Sequence, residues 1–398
     1  LTRFGARDAT AEDGRADPLD KRLHVILTAR AFNRGMAGKT QRFAFLDGLR
    51  GWAAFCVLVY HVIIDGLPAN HFMADAWLWA HVFVLNGPLA VGIFFVVSGF
   101  SLSIRYLETG DARGLARIAA GRYLRLAIPI FGICACVYLM MIAGAIPDAD
   151  ARPAPLNEYL SFVPTLGGLL SFSLFDVFFA YTKAASYNPP LWTMAYEFAG
   201  SFLVFVVLWV IRAWPRRILA LSVMFALSII LNGYLSLFIG GILLADLFRQ
   251  SDQWRGGAGI GAALFAGGLL TSLTLNLWFG PHYVACAMLL TAGIAFCAPV
   301  RGFFENRLAR FLGWISYPLY LVQAPVIYAF SVHALYWLDP LSLTLETERW
   351  IAGALTIPVA VLCAVAFAPV NDAAVRISRA FGAHVVTLFS AKALQPAE

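Results

Sequence analysis

The sequence predicts an all-α polytopic membrane helix bundle of about ten transmembrane helices. Three observations predict it. Hydrophobic residues make up 60% of the 398-residue chain and charged residues only 13%, against about 25% charged in a soluble domain. Apolar runs of spanning length recur along most of the chain, separated by short polar turns. Basic residues crowd into alternate loops between the runs, the asymmetry that sets orientation across a bilayer.

The spans read in order as 45–66, 83–104, 124–146, 191–211, 217–231, 233–248, 258–279, 283–300, 311–335 and 350–370. The fifth and sixth are short and meet at Asn232-Gly233, a tight hairpin. One set of loops carries thirteen arginines, from Arg105 to Arg310, with Arg255 among them; the opposite set carries Arg152, Lys183 and Arg349. This places the first set, and both termini, in the cytoplasm. The net charge of +6 lies mostly in these loops and does not indicate nucleic acid.

Residues 1–42 read as a polar, disordered cytoplasmic arm without a signal-peptide pattern. Met36-Ala-Gly-Lys also reads as a start just ahead of the first span, which would make 1–35 dispensable. Residues 43–372 form the membrane domain, and 373–398 a cytoplasmic tail. The connection 147–190 is long, and apolar and aromatic from Tyr159 to Tyr181. We expect a re-entrant or interfacial segment there, with an extra pair of spans as the alternative. Aromatic residues near span ends, Trp77 and Trp79 among them, suit interfacial belts. The six cysteines all fall in apolar segments without zinc spacing, so they read as small buried hydrophobes and no metal is expected.

Arg50 and His61 lie inside the first run. Eleven residues at about 100° each return to within roughly 20° of the start, so the two share a helix face, roughly 16 Å apart along the axis. Ionisable groups are costly in hydrocarbon, and function is the default reason to keep them there. An imidazole titrates near neutrality. It can act as a general base or carry a group covalently; the bland alternative is a core histidine satisfied by a backbone carbonyl. Asp65, on nearly the same face, either orients the ring or simply ends the helix. Asp47 and Arg50 are either a helix-start ion pair or, for Arg50, an anion anchor or oxyanion stabiliser. Glu197, in the fourth span, either pairs with an arginine to hold the bundle or serves the reaction. Ser98, Ser316 and Tyr317 are hydroxyl groups that helix packing and interhelical hydrogen bonds explain; no nucleophile elbow surrounds Ser98.

Five segments, in order, carry a family resemblance: Phe45-Leu-Asp47-Gly-Leu-Arg50-Gly with Tyr60-His61; Phe94-Phe-Val-Val-Ser98-Gly99-Phe100; Arg122-Tyr-Leu-Arg125-Leu-Ala-Ile-Pro129; Tyr187-Asn188-Pro-Pro-Leu-Trp192-Thr-Met-Ala-Tyr-Glu197; and Gly313-Trp-Ile-Ser316-Tyr317-Pro-Leu-Tyr320-Leu-Val. Together they resemble acyltransferase family 3, over about residues 43–370. The resemblance implies an O-acyltransferase of the bacterial inner (plasma) membrane, modifying cell-surface or lipid-linked glycans such as lipopolysaccharide. It implies an acyl-CoA donor, expected to be acetyl-CoA, and no permanently bound cofactor. His61, Arg50 and Glu197 are then the catalytic candidates. Arg122 and Arg125, about one helical turn apart, are candidates to grip the donor's phosphates, since guanidinium groups bind phosphate oxygens bidentately. Asn188, Trp192 and Tyr317 are the substrate-binding candidates. Gln323 stands where many relatives carry a histidine; glutamine does not titrate, so no acid–base role is carried over. On this reading the imidazole and the guanidinium groups converge on one cavity open to the cytosol. The alternatives are a secondary transporter of a small anion or lipid, which predicts paired broken helices, and a non-catalytic membrane protein.

Overall fold

A computed structural model describes residues 43–67, 86–153, 156–251, 257–273 and 280–392. The arm 1–42, Trp77, Trp79, Arg255, the Asp65 side chain and residues 393–398 lie outside the described part.

Twelve helices carry the described chain. They are α1 (Ala44–Tyr60), α2 (Gly87–Thr109), α3 (Ala112–Ile142), α4 (Leu166–Phe179), α5 (Thr193–Ile211), α6 (Arg217–Leu231), α7 (Gly233–Gln250), α8 (Gly257–Ser272), α9 (Pro281–Phe296), α10 (Ala298–Phe304), α11 (Arg307–Val326, prolonged to Leu341) and α12 (Leu345–Lys392). Every predicted span has its helical counterpart. Six helices are long and apolar enough to cross a bilayer, and a seventh if α9 and α10, bent by 97° at Cys297, count as one broken span. The apolar helices α6 and α8 are shorter. Leu139, Val206, Trp209, Ile230 and Leu362 remain exposed, as side chains facing lipid can, since lipid solvates them as well as a core does.

Local signals set the helix ends. Asn86 caps α2 by accepting from Leu89 N at 2.8 Å, Pro88 sits in the first turn, and Gly110 closes the helix at φ +66°. Asn232 accepts from the N–H groups of Tyr234 and Leu235 at 3.0 and 3.1 Å, which makes the α6–α7 hairpin a capped helix start. Asp111 caps α3. That cap moves the start of the helix twelve residues ahead of the expected 124, so Arg122 and Arg125 lie within α3 and not in a loop.

Close approaches set the packing. A Cβ on Gly51 would lie 2.3 Å from Gly313 N, and one on Gly313 would lie 2.5 Å from the Asp47 carbonyl oxygen. Only a residue without a side chain lets α1 and α11 meet there. α2 packs against α7, α3 along α12, and α8 against α9. α12 runs for 48 residues, about 72 Å at 1.5 Å per residue. It passes without a break through 370, and its Ser378–Gly382 turn lies against Arg117 and Gly121 of α3. The expected tail from 373 is therefore helical through Lys392.

The connection 147–190 contains one short apolar helix, α4, of 14 residues. That is about 21 Å, less than a hydrocarbon core, so the described residues hold no extra pair of spans. Arg152, 4% exposed, ties the preceding turns together. It donates to the carbonyls of Leu156 (2.8 Å), Tyr159 (2.7 Å) and Leu160 (3.2 Å). Burial pushes its guanidinium below the usual arginine value, offset in part by Tyr328 and Asp148.

Candidate active site

Two of the cavities along α1 hold candidate residues. The first encloses about 130 Å³ and is lined by Arg50, Ser98, Arg122, Arg125, Glu197, Ser316 and Tyr317 among others. The second encloses about 440 Å³ and is lined by Tyr60, His61, Glu158, Tyr159, Trp192 and Tyr328 among others. Val91, Thr193 and Tyr320 line both.

Glu197 organises the charged cavity. It accepts from Ser98 Oγ at 2.9 and 3.1 Å, and forms an ion pair with Arg122. Arg122 Nε donates to Ser201 Oγ at 2.7 Å, and Ser201 in turn donates to the Glu197 carbonyl at 2.6 Å. One carboxylate thus joins α2, α3 and α5. The Arg122 and Glu197 side chains are only 12% and 14% exposed, so each needs the other's charge. Arg125 sits over the Tyr317 ring, 5.1 Å from its centroid, a cation–π geometry. The Tyr317 hydroxyl reaches the Leu126 carbonyl at 3.5 Å.

The remaining cations are not satisfied this way. Arg50 Nε and Arg125 Nη1 are buried without a hydrogen-bond partner among the described residues. No ion pair joins Arg50 to Asp47, which is exposed. Two guanidinium groups with buried donors thus line a cavity whose one lining carboxylate is already held by Arg122, an arrangement that an anion would neutralise.

The expectation of one convergent cavity is corrected here. Arg50 lines the charged cavity and His61 the other, because eleven residues carry the chain about 16 Å along the axis; the two cavities adjoin at a shared wall of Val91, Thr193 and Tyr320. His61 opens a π-helical turn, His61–Gly66, and meets Tyr60 edge to face at 5.4 Å between centroids. Trp192 lines the same cavity and packs on Tyr234 at 5.7 Å. Asn188 lines neither: it is fully buried, and its Nδ2 donates to the Leu321 carbonyl at 2.8 Å. Gln323 is also fully buried and donates to the Tyr320 carbonyl at 3.1 Å.

The sequence reading of Ser98 as a packing and interhelical hydrogen-bonding hydroxyl agrees with its bond to Glu197 across α2 and α5. Sequence reasoning passed over Thr193 and Tyr320 although both stand inside the quoted motifs. It also missed Tyr159, Tyr328 and Glu158, which come from segments without a motif. Among the described residues no cluster of three or more His, Cys, Asp or Glu side chains could hold a metal.

The acyltransferase family 3 model, described as an acyltransferase domain, matches residues 43–368. The chain is 24% identical over 360 aligned residues to O-acetyltransferase PaAT-1 of Phomopsis amygdali, an alignment covering 71% of this chain and 72% of the relative. No solved structure matches. The two cavities therefore lie in a multi-pass membrane protein that belongs to acyltransferase family 3 and is an acyltransferase.

Proposed function

We propose that this enzyme moves an acetyl group from acetyl-CoA to a hydroxyl of a cell-surface or lipid-linked glycan, in a bacterial inner membrane with both termini in the cytoplasm. The observation that carries the reading is the pair of unpartnered buried donors, Arg50 Nε and Arg125 Nη1, in one cavity. A coenzyme A thioester brings several phosphate oxygens, and a membrane-embedded cationic cavity is stabilised by them. The thirteen-to-three asymmetry of basic residues supports a cytosolic entry for the donor. The aromatic lining beside His61 suits the face of a sugar ring.

In the reaction the acceptor hydroxyl oxygen attacks the thioester carbonyl. The C–S bond breaks as the C–O bond forms. His61 takes the hydroxyl proton and returns it to the departing thiolate, giving ester and free thiol. A covalent acyl-imidazole is the variant route, in which His61 attacks first. Arg50, at the other cavity, serves the donor's charge and not the proton, and Glu197 holds Arg122 and Ser98 in place. Trp192 and Tyr317 border the acceptor and donor sides respectively.

Purified protein in detergent, given acetyl-CoA and lipid-linked glycan extract, is expected to release thiol and yield acetyl ester by mass spectrometry. His61→Ala is expected to abolish both. Full activity in that variant would contradict the assignment.

A further inference from the structure

The shared wall has features that neither cavity needs for its own ligand. Val91 comes from α2, Thr193 from the first turn of α5 and Tyr320 from α11. Thr193 and Tyr320 are 3% and 6% exposed. Their hydroxyl oxygens lie 2.6 Å apart, and the Tyr320 hydroxyl donates to the Pro190 carbonyl. A phenol has one proton. With that proton on Pro190, Thr193 is the donor in the 2.6 Å contact. Phe94 meets the Tyr320 ring at 6.2 Å between centroids. Swinging the ring aside breaks both hydrogen bonds, so the ring resists displacement.

We propose that Tyr320 is a specificity-determining residue that limits the transferred acyl group to a short chain. This rests on the reading above: donor in the charged cavity, hydroxyl on the His61 side. The thioester carbonyl must then reach the wall that both cavities share. The charged cavity encloses only about 130 Å³, and a longer alkyl chain finds room only by passing the wall into the space of about 440 Å³ beyond it. The Tyr320 ring, held by the two hydrogen bonds of its hydroxyl, narrows that route, leaving room for the carbonyl to meet the acceptor hydroxyl but not for a long chain to pass. Discrimination per methylene in an apolar site is about tenfold or more, so a few carbons suffice to exclude a long chain.

The test compares acetyl-, butyryl- and octanoyl-CoA with purified protein in detergent, reading free thiol released in the presence of glycan extract. Tyr320→Leu is expected to raise the octanoyl-to-acetyl rate ratio about tenfold or more. Tyr320→Phe, which keeps the ring but loses both hydrogen bonds, is expected to raise the ratio less than Tyr320→Leu does. An unchanged ratio in a Tyr320→Leu protein that elutes and melts like wild type overturns the proposal. Should that variant misfold, Val91→Ala thins the same wall from α2: a raised ratio supports the proposal and an unchanged one overturns it. Wild-type protein that releases thiol from none of the three refutes the donor reading itself, and is told apart by the control alone.

Discussion

The charged cavity and the His61 cavity hold their polar groups in opposite ways. In the first, Glu197 is saturated by Ser98 and Arg122, while Arg50 and Arg125 keep buried donors open. In the second, no arginine is among the lining residues, and aromatic and aliphatic side chains with one carboxylate, Glu158, surround one imidazole. The difference separates charges that build the bundle from charges that wait for a ligand. Arg122 and Arg125 stand one turn apart in the same motif, yet one is neutralised and the other is not. Proximity in sequence does not give them the same partners.

The sharpest way to break this comparison is to remove His61. His61→Ala is expected to lower acyl transfer by about a hundredfold or more, the usual contribution of a general base, with donor affinity unchanged. Acetyl ester on surface glycan, measured by mass spectrometry in a host lacking the enzyme, reads the loss. Next comes Glu197→Ala, which leaves Arg122 buried without its counter-charge. A cost of about 3–5 kcal/mol is expected, visible as a lower melting temperature in detergent; an unchanged melting curve would remove the carboxylate from its structural role. Arg125→Ala should act chiefly on the donor. Its unpartnered buried donor costs desolvation energy while its cation–π contact with Tyr317 stabilises, so the melting temperature should move less than in Glu197→Ala, while KM for acetyl-CoA rises about tenfold to a hundredfold for a lost charge-assisted contact.

Smaller effects sharpen the second cavity. Arg152→Met frees the three carbonyls that arginine gathers beside Tyr159 and Tyr328. We expect KM for the acceptor to rise several-fold while KM for acetyl-CoA stays put; movement of both would place Arg152 in general folding. The Lys183–Glu158 pair is the smallest term. Both side chains are about half exposed, so Lys183→Met should cost less than about 1 kcal/mol. The hydrogen bond to Glu158 raises the Lys183 pKa. A raised amine contributes fully at neutral pH and loses that contribution as pH climbs through the folded-state value. Wild type and variant should therefore converge in melting temperature under strongly alkaline conditions.

The helices were legible because hydropathy and loop charge act locally: each run is long enough, and each capped end carries its own Asn, Asp or Gly. The length of α12 was not legible. Polar residues such as Asn371, Asp372 and Arg376 read as an exit from the membrane, but packing on α3 continues the helix through them. The charged cluster was partly legible, since Arg50, Arg122, Arg125 and Glu197 are too costly in hydrocarbon to pass unnoticed. Which guanidinium pairs with Glu197 is a tertiary fact, fixed by where α2, α3 and α5 meet. The same holds for Asn188, whose motif position suggested substrate while its side chain ties the turn before α5 to Leu321. Tyr320 and Thr193 carry no net charge, and an uncharged hydroxyl in a span gives no cost signal to notice.

The central claim is that donor and proton acceptor occupy different cavities on either side of one wall. Calorimetric titration of coenzyme A into purified wild type, Arg125→Ala and His61→Ala tests it most directly. The account predicts wild-type affinity for His61→Ala and at least about tenfold weaker binding for Arg125→Ala. Equal weakening in both variants, or none in Arg125→Ala, would contradict it.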